Sequence, residues 1–134
     1  MSDMMSFELV SPERRLASGE ADMVTIPGAD GDIGAQHGHT PLMTTLRPGL
    51  LVVTKGSEST AYFVTGGFAE ITPEGVSILA EETLPKAELN RDFLDERIEA
   101  ARAELDALDA DDHIGQRSAS QRLNDLITAV DQIL

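Results

Sequence analysis

Two periods of apolar residues divide the chain. Up to about Ala80, short runs rich in β-branched and aromatic residues alternate with turn residues. The runs are Phe7-Glu8-Leu9-Val10, Met23-Val24-Thr25-Ile26, Leu50-Leu51-Val52-Val53-Thr54, Thr60-Ala61-Tyr62-Phe63-Val64, Phe68-Ala69-Glu70-Ile71-Thr72 and Val76-Ser77-Ile78-Leu79. Such residues fit a half-buried pleated surface, so each run predicts a strand. Between them lie Pro27-Gly28 with Asp30-Gly31, Pro48-Gly49, Lys55-Gly56-Ser57, Gly66-Gly67 and Pro73-Glu74-Gly75, where proline presets φ and glycine reaches conformations that other residues avoid. Strands separated by turns about every 8 to 12 residues predict a small β-sandwich or flattened barrel. Gly66-Gly67 before Phe68 reads as a bulge or a close backbone approach.

After Leu84-Pro85 the period becomes helical. Leu94, Ile98, Ala101, Leu105 and Leu108 recur at spacings of 4, 3, 4 and 3, which lines one narrow apolar stripe along a helix whose other faces are charged. Leu123, Ile127, Val130 and Leu134, helped by Leu126 and Ile133, predict a second stripe. The polar run from Asp109 to Gly115 reads as the connection between them. The division is therefore a β-sandwich over residues 1–84 and an antiparallel helix-loop-helix over 85–134, with the helices barely long enough to be stable alone in water. The hairpin is expected to be the less stable half, able to lie on the sandwich or leave it.

Composition narrows the function classes. With 134 residues and no cysteine, neither a disulfide framework nor a thiolate metal site is available. No apolar run reaches the roughly 18 residues of a membrane span, and the N-terminus lacks the basic and apolar regions of a signal peptide. Direct membrane insertion is not expected. The formal charge of −14, with the ten basic residues spread singly except for Arg14-Arg15, argues against nucleic acid, which requires clustered Lys and Arg.

Catalytic motifs are missing. Gly-x-Ser-x-Gly and the P-loop pattern do not occur. His37-Gly38-His39, with Asp30 and Asp32 nearby, is the most metal-like feature. Two histidines flanking a glycine more often serve turn geometry or a protein contact, so no metal is expected. Asp109, Asp111 and Asp112 alternate somewhat like a calcium loop but lack its glycine and bidentate glutamate. The segment from Ile26 to Gly49 reads as a long shaped loop. Its glycines at 28, 31, 34, 38 and 49 and its apolar Ile33, Leu42, Met43 and Leu46 predict a protein-contact surface.

Several motifs also resemble a known family. Val10-Ser11-Pro12-Glu13 through Ser18-Gly19-Glu20, Pro27-Gly28-Ala29-Asp30-Gly31-Asp32-Ile33-Gly34, Gly38-His39-Thr40-Pro41-Leu42, Leu46-Arg47-Pro48-Gly49, Gly66-Gly67-Phe68-Ala69-Glu70-Ile71 and Ile78-Leu79-Ala80-Glu81 are similar to the epsilon subunits of bacterial F-type ATP synthases. The resemblance implies a sandwich of about ten strands followed by a helical hairpin. It implies a non-catalytic rotor part on the cytoplasmic face of the inner membrane, joining the gamma subunit to the polar loops of the c-ring. Contact with the ring would fall to Gly31, Asp32, His37 and Gly38, and contact with gamma to His39, Pro41 and Leu42.

In that family the hairpin can also reach the alpha and beta subunits and restrain hydrolysis, and some members fold it around ATP through an Ile/Leu-Asp-x-x-Arg-Ala motif. In register this chain has Leu89-Asn90-Arg91-Asp92-Phe93-Leu94, and the similar Ile98-Glu99-Ala100-Ala101-Arg102-Ala103 comes nine residues late. No cofactor is expected, and Glu99 and Arg102 are the residues an ATP site would have to use. The alternatives are a free-standing β-sandwich adaptor that binds another partner through residues 26–49, and an enzyme with a metal at His37 and His39.

Overall fold

The computed structural model describes residues 4–133. Ten strands come first: β1 Met5–Val10, β2 Arg15–Ala21, β3 Met23–Gly28, β4 Gly31–Ala35, β5 Leu42–Leu46, β6 Gly49–Lys55, β7 Glu58–Val64, β8 Gly67–Ile71, β9 Gly75–Ala80 and β10 Thr83–Pro85. A single 3-10 turn at Lys86–Glu88 follows, then α1 Arg91–Asp106 and α2 His113–Ile133. The sandwich and hairpin expected from the two periods are both present. Backbone contacts divide the chain between Ala87 and Glu88, slightly beyond the expected boundary because β10 pairs Pro85 with Tyr62 of β7.

The strands run β10-β7-β6-β3-β5-β8-β9-β1-β2, with β4 paired to β3. Every pairing is antiparallel except that of β1 with β9. Alternation sorts the side chains: Ala69 and Ile71 of β8, and Val76, Ile78 and Ala80 of β9, point inward. They share one buried cluster with Met5, Leu9, Val24, Ile26, Leu51 and Val53. Gly67 lies in this ladder with a φ of +130°, and a Cβ there would run into the Leu79 carbonyl oxygen. Close backbone approach is therefore the reason for glycine at this site.

The segment from Ile26 to Gly49 is not a long loop. It holds β4 and β5, and only three short stretches of it, at residues 29–30, 36–41 and 47–48, lie between strands. The cause is exposure. β4 and β5 each have a single buried residue, Ala35 and Leu46, so burial writes almost no alternation into them. Pairing of Val24 with Ala35 and of Thr44 with Ala69 creates these strands from outside the segment. The same holds for β2, an edge strand with the sequence Arg-Leu-Ala-Ser-Gly-Glu-Ala.

Local chemistry starts each helix. The Asn90 side chain accepts from the Phe93 N–H at 2.9 Å, and Asp112 Oδ1 accepts from the Gly115 N–H at 2.9 Å; both satisfy donors left over by a helix start. Asp112 is thus a helix cap, and Gly115 stands in the first turn of α2, not in the connection. In α1, Leu94 and Ala101 are buried. In α2 the buried face is Ala119, Leu123, Leu126, Ala129 and Val130. Ile127, expected on the stripe, is exposed, because a face centred on Leu123, Leu126 and Val130 turns position 127 outward. Leu134 lies outside the described residues.

Candidate functional site

The strands present two separate surfaces around β4. The first is the tip between β3 and β4, where Gly28 pairs with Gly31 across Ala29 and Asp30. A Cβ on Gly28 would lie 2.8 Å from the Gly31 carbonyl oxygen, so the turn closes only around glycine. Gly31 itself has a φ of +141°. Asp32 stands just beyond the turn and is ion-paired with Arg47, whose Nη1 also donates to the Gly28 carbonyl at 2.6 Å.

The second surface begins with residues 36–41, which link β4 to β5. Gly38, with a φ of +85°, donates its N–H to the Pro73 carbonyl at 2.8 Å, and the His39 N–H donates to Gln36 at 3.0 Å. The His39 ring nitrogen Nδ1 lies 2.6 Å from the Thr40 carbonyl oxygen and donates to it. These bonds give the stretch a fixed shape. Pro41 and Leu42 are exposed at its end, where β5 begins.

Gly31 and Asp32 thus lie together, and His37, Gly38, His39, Pro41 and Leu42 lie together, but the two sets stand at opposite ends of β4. At about 3.3 Å per residue, the stretch of β4 from Asp32 to Ala35 alone holds them roughly 10 Å apart. Glu99 and Arg102 are exposed on α1, three residues apart on neighbouring positions of one face. Among the described residues no three His, Asp or Glu side chains come together in a way that could hold a metal ion.

Residue patterns overlooked a third feature, an apolar strip on the outer face of β5, β8, β9 and β1. Phe68 pairs with Leu79, and Leu79 with Val10. Met43 stands beside them opposite Glu70, which continues to Ser77 and Glu8. Phe68 is 55% exposed, Leu79 53% and Met43 68%, so three large apolar side chains from three strands stand in solvent next to two glutamates. A contiguous exposed apolar patch rimmed by polar groups marks a contact surface. The available signal was broken alternation: Ile78-Leu79 and Phe68-Ala69 each put an apolar residue on both faces of one strand.

Against known proteins, the family model described as "ATP synthase, Delta/Epsilon chain, beta-sandwich domain" matches residues 4–86. The chain belongs to this family. An ATP synthase epsilon chain of Parvibaculum lavamentivorans is 47% identical over 94% of this chain and 95% of its own length. One from Ruegeria is 57% identical over 76% of this chain and 74% of its own. Among solved structures, a chain of the Euglena gracilis mitochondrial ATP synthase, described with OSCP, F1 and c-ring, superposes with a TM-score of 0.69 at 26% identity, covering 95% of this chain and 81% of that one. A chain of the Tetrahymena thermophila ATP synthase central stalk and c-ring shares the fold, with a TM-score of 0.72 at 18% identity over 99% and 98%. Family membership and helical hairpin agree with the epsilon-type resemblance of the motifs, and no described helix is long and apolar enough to cross a membrane.

Proposed function

We propose that this chain is a non-catalytic rotor part of a proton-driven ATP synthase, held at the cytoplasmic face of the bacterial inner membrane by its partners. It clamps the gamma subunit to the c-ring, so that rotation of the ring reaches the catalytic head without slipping. One observation carries the reading: near-complete mutual coverage at 47% identity with an ATP synthase epsilon chain.

Two attachment surfaces held apart by β4 suit such a clamp. The tip bearing Gly31 and Asp32 serves the ring. His37 and Gly38, expected at the ring, lie at the far end of β4 from Asp32 and so join His39 and Pro41 in the 36–41 connection. That connection runs into Leu42, Met43 and the apolar strip, and this continuous surface serves gamma. Glycine turns and short bonded segments favour this role, because a stiff docked surface transmits force better than long flexible side chains. The hairpin is the part that would reach the alpha and beta subunits and restrain hydrolysis.

A tagged chain captured from gently solubilised membranes tests the reading. Gamma, the c-ring and the catalytic hexamer are expected with it; recovery of the chain alone, or with unrelated soluble proteins, would leave a free-standing adaptor. Phe68→Asp sharpens the test. Phe68 is more than half exposed, so the fold should tolerate the change, while capture of gamma falls by about tenfold or more, as expected for an aromatic anchor in an interface.

A further inference from the structure

The tip between β3 and β4 is fastened to the corner between β5 and β6. The Arg47 N–H donates to the Pro27 carbonyl at 2.9 Å, and the Ala29 N–H donates to the Thr45 carbonyl at 2.9 Å. Leu46 pairs with Gly28. Both neighbours of Arg47, Leu46 and Pro48, are buried, and a Cβ on Gly49 would lie 3.2 Å from the Pro27 Cβ. The Arg47 side chain therefore leaves from a backbone with little room to move.

Its guanidinium then reaches across the turn. One nitrogen donates to the Gly28 carbonyl on the strand before the turn, and the other pairs with the Asp32 carboxylate on the strand after it. The Arg47 side chain is 27% exposed and that of Asp32 64%. The cation is thus set into the corner while the carboxylate faces out.

We propose that Arg47 is the positioning residue for Asp32, fixing the direction in which that carboxylate meets the c-ring. This rests on the reading of Asp32 as a ring contact. A planar guanidinium presents two N–H directions at once and locks carbonyl and carboxylate relative to each other. A lysine ammonium is a point charge on a flexible stem whose three donors rotate, so it does not fix the direction of one acceptor relative to another. The pair's worth is directional: partly exposed ion pairs add little stability, but a contact that must bear force needs its acceptor aimed.

The test uses the whole complex in inverted membrane vesicles, with proton pumping per ATP hydrolysed as the readout and immunoblotting to follow retention of the chain. The variants are D32N, R47Q, R47K and D32N/R47Q. R47Q and D32N are each expected to lower the ratio by about threefold, the size of a lost surface charge contact, and the double variant is expected to be no worse than D32N. R47K should recover part of the loss. A normal ratio in R47Q beside a lowered one in D32N overturns the role of Arg47 and leaves the ring contact standing. Additive losses overturn it too, as does loss of the chain from the vesicles whenever R47Q is present, which would make Arg47 a structural residue. A normal ratio in D32N removes the ring contact and the proposal together.

Discussion

The sandwich and the hairpin are held together in opposite ways. In the sandwich, backbone partners lie far apart in sequence: Leu9 pairs with Ile78, and Val24 with both Ala35 and Val53. No strand satisfies its own backbone, so removing one burdens every strand it pairs with. The helices make their own backbone bonds, and each starts from a cap within its own sequence, Asn90 and Asp112. Their buried residues include Ala101, Ala119 and Ala129, which lose little apolar area when the helices part. The lesson is that the sandwich should respond to damage as one cooperative body and the hairpin as a weaker, separable one.

The sharpest challenge is a cavity in the sandwich. Ile71, fully buried between Ala69 and the turn to β9, should cost roughly 4 kcal/mol when changed to Ala. Denaturant unfolding of the purified chain, followed by a near-ultraviolet signal from Tyr62, should show the whole sandwich shifting in one transition. Loss of only part of the sheet would break the claim of cooperativity.

Leu126→Ala in α2 is the counterpart. Leu126 is 2% exposed, and the change should cost roughly 2 to 3 kcal/mol. Hydrogen exchange should show the loss confined to α1 and α2 while the strands keep their protection. Faster exchange in β6 or β9 would mean that the two units do not unfold separately.

Asp112→Ala should cost about 1 kcal/mol through loss of the cap on α2. Circular dichroism should register it as fraying, with the helical transition moved to lower temperature and the sandwich transition in place. The smallest effect is expected from the largest deletion. A chain ended at Ala87 keeps β10 and every strand pairing, so recovery of gamma and ring by pull-down, and coupling in vesicles, should stay within about twofold of the full chain, since no ladder bond is lost. Failure to assemble would make the hairpin part of the joint.

The contrast also explains which residues were legible. Leu50 to Thr54 and Val76 to Leu79 announce strands through the β-branched Val52, Val53, Thr54, Val76 and Ile78, and burial on one face writes alternation into Val76, Ile78 and Ala80. β2, β4 and β5 carry no such signal: their residues are mostly exposed, and glycine occupies three of their positions, 19, 31 and 34. In α2 the period was legible but its phase was not. Leu126 and Ile127 are both apolar, and only packing chose Leu126.

The candidate site divides along the same line. Asp32 could be singled out from the Asp30-Gly31-Asp32 turn and its family resemblance, and His37 to Leu42 from glycine and proline punctuation. The partner of Asp32 could not, because Arg47 reaches it only after β5 returns to the end of β3. Nor could the alignment of Val10, Met43, Phe68 and Leu79 into one strip, for which broken alternation was the one local sign, since three pairing registers bring these distant positions into line on one face.

By itself the sequence determined the periods, the glycine turns and the family, all of which depend on residue type or on neighbours a few positions away. Tertiary structure alone decided which weak segments became strands, which apolar residues stayed outside, and which cation faces Asp32. Those outcomes depend on register between strands that are distant in the chain, and a shift of one residue would send every side chain of a strand to the opposite face.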